Sequence, residues 1–240
     1  AASVETMKAT SLTDTLLNII PDNPINSLAS GEMLQIIVFA LIIGVIIGVL
    51  VAIIRSAHDQ QPEKKKGLPL KILNGICKVY LTVIRGTPMM VQLLIMWFIV
   101  MKNSQNGVLV ASLSFGINSG AYVSEIVRAG ILAVDKGQTE AGRSLGLSKA
   151  QTMIYIVIPQ AIKNVLPPIG NEFIVLLKET AIVGYVSLTD LTRAANQITS
   201  RTYEAFMPLI GAAVIYFTVI KILTILLDKL ERRLRKSDNR

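Results

Sequence analysis

The sequence has one cysteine, Cys77, and one histidine, His58, among its 240 residues. An internal disulfide is thereby excluded, and neither a cysteine-rich metal site nor a histidine-based catalytic triad has the material it needs. Charge is scarce as well: Asp, Glu, Lys and Arg make up 17% of the chain, where a soluble domain carries about a quarter. Aromatic residues stand at 5%, so any interfacial belt of Trp and Tyr is thin. Ala1 to Thr10 hold no apolar core of the length a cleavable signal peptide requires. What the chain has in quantity is hydrophobic residues, 52% of the total, clumped into long runs. Met33 to Ile54 and Asn103 to Ser124 are each 22 residues without a charge. Such runs read as bilayer-spanning helices, because roughly 20 residues at a rise of 1.5 Å cross the hydrocarbon core.

Five spans fit the hydropathy, at about 33–54, 79–101, 107–128, 160–186 and 205–227. The second contains Arg85 near its start, where Arg85-Gly86-Thr87-Pro88 reads as a cytoplasmic-side break with Pro88 near a helix start. The fourth is interrupted by Glu172, Lys178, Glu179 and Pro167-Pro168, which a membrane helix tolerates only against protein or water. The net charge of +8 is explained by where the cations lie. Segments 55–71, 128–163 and 228–240 hold sixteen Lys and Arg, and the alternate segments hold four. The positive-inside rule then puts the N-terminus outside and the C-terminus in the cytoplasm, with an odd number of spans. No nucleic-acid partner is needed to account for the basic balance. The expected organisation is an atypical extracytoplasmic lead over 1–32, a transmembrane domain over 33–228 and a basic cytoplasmic tail over 229–240.

This topology makes the polar segment between the third and fourth spans cytoplasmic. It contains structure signals. Ser148 followed three residues later by Gln151 is a capping box for a helix beginning near Lys149. Gly146 stands where a preceding short helix needs a left-handed terminal residue. Two short helices hinged at a glycine, over about 135–159, are therefore expected. Gly137-x-x-x-x-Gly142-Arg143-Ser144 is one residue away from a phosphate-binding loop. It has Arg143 in place of the lysine and no buried strand before it, so ATP binding at this point is not expected.

Glu140-Ala141-Gly142, then Gly146, then Ile156-x-Ile158-Pro159 resembles the loop signature of binding-protein-dependent ABC importer permeases, Glu-Ala-Ala, three residues, Gly, nine residues, Ile-x-Leu-Pro. The spacing is met throughout, with Gly142 and Ile158 as mild departures. Val83-Ile-Arg85-Gly86-Thr87-Pro88 with Gln92, Asn118-Ser-Gly-Ala-Tyr122-x-x-Glu125-x-x-Arg128, and Leu188-x-Asp190-Leu-Thr-Arg193 are similar to the polar amino acid branch of that family. The resemblance implies an all-α, five-span membrane protein of the type I ABC importer transmembrane fold, in the bacterial inner membrane. It implies a permease without ATPase activity of its own and with no cofactor bound by this chain; ATP and Mg belong to the partner. Glu140, Ala141, Gly142, Gly146 and Pro159 would form the coupling loop that docks on cytoplasmic ABC ATPase subunits. The remaining implied partners are an extracytoplasmic substrate-binding protein, a second permease subunit, identical or related, and the lipid bilayer. The front of the chain departs from this pattern. Residues at about 12–43 resemble a piece of a sodium-coupled dicarboxylate or amino acid symporter, which leaves an ion-coupled secondary transporter as the rival reading.

Polar residues inside the spans supply candidates for a substrate pathway. Asn118, Tyr122, Glu125 and Ala129 fall at i, i+4, i+7 and i+11, one stripe of a helix, with Ser119 beside it. Glu125 can equally pair with Arg128 at i+3 and hold the helix end. Glu172 shares a face with Glu179, and Lys178 one with Asn171; pathway lining and buried pairing are both open for them. Gly44-x-x-x-Gly48 is a close-approach motif that fits packing within the chain or contact with a second copy.

Overall fold

Two Gly-x-x-x-Gly patterns set the closest packing in the molecule. In the computed structural model, which describes residues 33–61 and 67–236, α1 (Met33–Gln60) lies along α4 (Gly107–Leu132). A Cβ on Gly44 would stand 2.8 Å from the Ser119 Oγ, and one on Gly48 2.7 Å from the Val123 Cβ. Gly116 and Gly120 on α4 make room in the same way for Ile43 and Ile47. Removing the side chains on both partners lets the two backbones approach and gain dispersion contacts that lipid cannot supply. The glycine motif thus serves packing within the chain.

Between these helices run α2 (Leu68–Gly86) and α3 (Met89–Ile95), the latter continuing as a π-helical turn over Met96–Val100. The span expected at 79–101 is therefore not one helix. α2 and α3 meet at 111°. The cause is local: Pro88 has no N–H to donate and excludes the α conformation from Thr87, which is extended at φ −121°, ψ 146°. Pro88 starts α3 as its N-cap.

After α4 come α5 (Lys136–Ser144), α6 (Lys149–Thr152), a π-helical turn over Met153–Val157, and α7 (Ile158–Glu179). Pro159 in the first turn of α7 cannot bond to the carbonyl four residues back, and the helix accommodates this by widening over 153–157. The expected fourth span, 160–186, is α7 followed by a 3₁₀ segment over Thr180–Val186. α8 (Leu191–Thr202) is capped by Asp190, whose carboxylate accepts from the Thr192 and Arg193 amides at 2.9 and 3.0 Å. α9 (Phe206–Lys236) packs on α7, with Leu227 seated over Gly170, and its Tyr216 hydroxyl donates to Asp190 at 3.3 Å.

By length and apolarity three of these helices can cross a membrane, α1, α4 and α9, or four if the bent α2–α3 pair counts as one. α7 is long enough but not among them, because Gln160, Lys163, Asn164, Asn171 and Glu172 dilute its apolar stretch. One core joins Ile37, Ala40, Leu93, Phe115, Leu176, Val183 and Val186 from α1, α3, α4, α7 and the 3₁₀ segment. A second joins Val51, Cys77, Leu81 and Ala121. The outer faces of α2 and α9 leave Ile72, Ile76, Val79, Phe217, Ile222 and Leu226 more than half exposed, the pattern of helices that meet lipid or another subunit rather than water. The 1–32 lead, the Lys64–Lys66 run and residues 237–240 fall outside the described residues, as does most of the symporter-like stretch at about 12–43.

Candidate functional site

The segment after α4 folds into a helical hairpin. Asp135 caps α5 by accepting from the Gly137 amide at 2.6 Å. α5 ends in a Schellman motif: the Leu147 amide bonds to the Gly142 carbonyl and the Gly146 amide to that of Arg143, each at 3.1 Å. Gly146 has φ +84°, the left-handed region that a side chain makes costly. Ser148 and Gln151 then form the reciprocal capping box that opens α6. Arg143 closes the turn, donating Nη1 to the Leu147 carbonyl at 3.0 Å.

Gly142 explains how the two arms stay together. It is buried, and a Cβ there would reach 2.7 Å from the Ile156 Cδ1 and 2.9 Å from the Thr152 Cγ2. Gln160 ties the hairpin to α7, donating to the Ile156 carbonyl at 3.1 Å and to the Gln138 Oε1 at 3.3 Å. Glu140, Ala141, Gly146 and Pro159 are exposed, and Leu145 at the tip is 81% exposed. Leu145 thus projects from a hairpin that is capped at both helix starts. The Gly137–Ser144 stretch is helical, not the loop of a strand–loop–helix phosphate cradle.

The polar stripe of α4 divides among three environments. Asn118 is buried and donates Nδ2 to the Gln92 Oε1 at 2.9 Å. Gln92 in turn donates to the Ile84 carbonyl at 2.7 Å, to the Thr87 carbonyl at 3.0 Å and to the Thr87 hydroxyl at 2.8 Å. The amide pair thus splints the α2–α3 bend, using carbonyls that the Pro88 break left free. Ser119 is fully buried against Gly44 of α1. Only Tyr122 and Glu125 border open space, a cleft of about 610 Å³ shared with Arg55, Lys78, Leu81, Thr82, Arg85 and Gly86. Glu172 is buried in α7, and Lys178 is exposed on another face; neither lines this cleft.

Glu125 does not rely on Arg128. Its nearest cation is Arg55 at 2.5 Å, then Arg85 at 3.7 Å, with Arg128 at 4.0 Å. Arg128 pairs with Asp59 at 3.0 Å, and the Arg85 guanidinium lies 5.8 Å from the centre of the Tyr122 ring. One carboxylate therefore joins the ends of α1, α2 and α4. Arg55, Asp59 and Lys78 were not candidates from sequence. The available signal was the i, i+4, i+7 spacing of Lys78, Thr82 and Arg85, which puts three polar residues on one face of α2.

Residues 67–236 match the family model described as binding-protein-dependent transport system inner membrane component. A second model, the sodium:dicarboxylate symporter family, matches residues 1–117. The arginine transport system permease protein ArtQ of Bacillus subtilis (strain 168) is 41% identical over 189 residues, covering 72% of this chain and 85% of that protein. The glutamine transport system permease protein GlnP of Escherichia coli (strain K12) is 35% identical, covering 68% and 77% respectively. A chain in the crystal structure of an amino acid ABC transporter with histidines is 41% identical and superposes with a TM-score of 0.73 over 95% of this chain and all of that one. The inward-facing MetNI methionine ABC transporter shares the fold at 18% identity, with a TM-score of 0.65 over 94% of this chain. The chain belongs to the family of binding-protein-dependent transport system inner membrane components.

Proposed function

We propose that this chain is the membrane permease subunit of an ABC importer for polar amino acids, driven by ATP hydrolysis on a separate subunit. The observation that carries this reading is the hairpin over 135–159. It is capped at both helix starts, closed by a left-handed glycine and held to α7 by Gln160, yet it turns Glu140, Ala141 and Leu145 outward. A rigid projection of this kind transmits force between a soluble partner and the membrane helices, because α7 continues directly from its second arm. The positive-inside pattern favours a cytoplasmic position for it, where the ATPase subunit would seat, with the N-terminus outside and the C-terminus in the cytoplasm. An extracytoplasmic binding protein would deliver the amino acid, and a second permease subunit would complete the pathway against the exposed faces of α2 and α9. ATP and Mg would be used by the ATPase partner alone.

The substrate pathway in this reading passes the cleft bordered by Tyr122 and Glu125. Asn118 acts one step back, holding the α2–α3 bend through Gln92 and so fixing Arg85 at the cleft. Ser119 backs the cleft wall through its packing on Gly44 of α1, while Glu172 and Lys178, also candidates from the sequence, lie off this cleft. The symporter-type match ends at residue 117, before the hairpin begins, and provides no role for it.

The test is uptake into proteoliposomes containing this chain, its ATPase subunit and the binding protein. Uptake should require ATP inside the compartment facing the ATPase and should stop when the ATPase is omitted. Accumulation driven by a sodium or proton gradient without the ATPase would instead support the ion-coupled reading.

A further inference from the structure

The charges around the cleft do not balance. Arg55 of α1 and Lys78 and Arg85 of α2 face it, and among the described residues Glu125 of α4 is the only carboxylate in its lining. The neighbouring acid, Asp59 of α1, is taken by Arg128 of α4 at 3.0 Å. Glu125 is taken first by Arg55 at 2.5 Å. Arg85 stands farther off at 3.7 Å, half exposed. Lys78 forms no ion pair among the described residues and is exposed to the cleft. Two cationic side chains are therefore left in surplus at one wall, on the polar face of a helix whose opposite face carries Ile72, Ile76, Val79 and Val83.

Cations in a membrane protein rarely face the lipid interior; they reach the interface or face water, protein or a ligand. The cleft volume of about 610 Å³ is in the range of small-molecule sites. A lysine or arginine side chain placed here would meet like charges. A neutral amino acid would use one surplus cation for its α-carboxylate and leave the other unmatched. A dicarboxylic amino acid offers two carboxylates to two cations, Lys78 and Arg85.

We propose that the amino acid handled at this cleft is dicarboxylic, aspartate or glutamate, with Lys78 and Arg85 as the pair that selects for the second carboxylate. The inference rests on the permease reading above and adds the substrate's charge class to it. Lys78 is the sharper probe of the two, since Arg85 also contacts Glu125 and Tyr122.

The experiment uses the permease assembled with its ATPase subunit in lipid nanodiscs, without binding protein, so that selectivity read is the permease's own. Bound radiolabelled glutamate is competed with aspartate, glutamine and arginine. Aspartate should compete comparably, and glutamine and arginine about tenfold or more weakly, the factor that 1.4 kcal/mol supplies. Lys78→Gln should weaken glutamate by a similar factor relative to glutamine, and Lys78→Arg should restore glutamate. Equal losses for glutamate and glutamine, or arginine competing as well as glutamate, would overturn the proposal and leave the permease reading standing. Failure of all four amino acids to bind, together with no ATP-dependent uptake of any, would remove both.

Discussion

Gly146→Asp should abolish substrate-stimulated ATP hydrolysis in the assembled transporter without unfolding the permease. The structure separates these two effects. Nothing lies within 4 Å of where a Cβ on Gly146 would project, so a side chain meets no steric obstacle inside the chain. The cost within the chain is confined to the backbone at φ +84°, about 1–2 kcal/mol for an ordinary residue and less for Asn or Asp, which tolerate the left-handed region. The rest of the effect must come from outside, where the new carboxylate projects from the tip beside Leu145 into the face offered to the ATPase. Gly146→Asn is the control, with the same backbone demand and no charge. It should keep a measurable fraction of stimulation, whereas Gly146→Asp should lose about tenfold or more, equivalent to ~1.4 kcal/mol of coupling. Thermal stability of the purified permease should differ little between the two. Full stimulation in Gly146→Asp would refute the docking role of the hairpin.

The second large effect is expected at Glu125. Its removal as Glu125→Leu leaves Arg55, whose side chain is 16% exposed, and Arg85 without their shared carboxylate. Breaking a fully buried pair from one side costs about 3–5 kcal/mol. Here the Glu125 side chain is 32% exposed, and solvent screening reduces the expectation to about 1–3 kcal/mol. The loss should appear as lower yield and a lower unfolding midpoint of the detergent-solubilised protein. Because the penalty comes from stranded arginine, Arg55→Leu combined with Glu125→Leu should be more stable than Glu125→Leu alone. A double variant as unstable as the sum of the single ones would show that Glu125 and Arg55 act independently, contrary to their geometry.

Local signals were the legible part of this chain. Ser148 with Gln151 and the position of Gly146 specified the hairpin because caps and left-handed glycines are decided within four residues. The long apolar runs at α1 and α4 were legible for the same reason, although both helices extend beyond the expected ends, to Gln60 and Leu132. The bounds 79–101 of the second span run across a break because hydropathy averages over a window, although Arg85-Gly86-Thr87-Pro88 marks that break in the sequence and Pro88 does cap α3. Pro88 sets the break locally, and its 111° angle is held by Gln92, which donates to the Ile84 and Thr87 carbonyls, and by Asn118 of α4, which donates to the Gln92 Oε1. The charged cleft was the least legible. Helical periodicity places Asn118, Tyr122 and Glu125 on one stripe of α4, of which Tyr122 and Glu125 line the cleft, but could not reveal that Arg55 and Lys78 arrive from α1 and α2. Such partners are fixed by helix crossing, which in this molecule is set by the facing glycines of α1 and α4. The i+3 spacing suggested Arg128 as the partner of Glu125, and tertiary packing supplied a nearer one in Arg55.

The account depends on the hairpin lying at the cytoplasmic face in the grip of an ATPase subunit. Its tip residue offers a direct reading: Leu145→Cys adds one exposed thiol to a chain whose single native cysteine, Cys77, is buried. A membrane-impermeant maleimide should label this thiol in inside-out vesicles and not in intact cells stripped of their wall, and bound ATPase subunit should protect it. Labelling from the outer face, or labelling from the inner face that the ATPase does not diminish, would contradict the account.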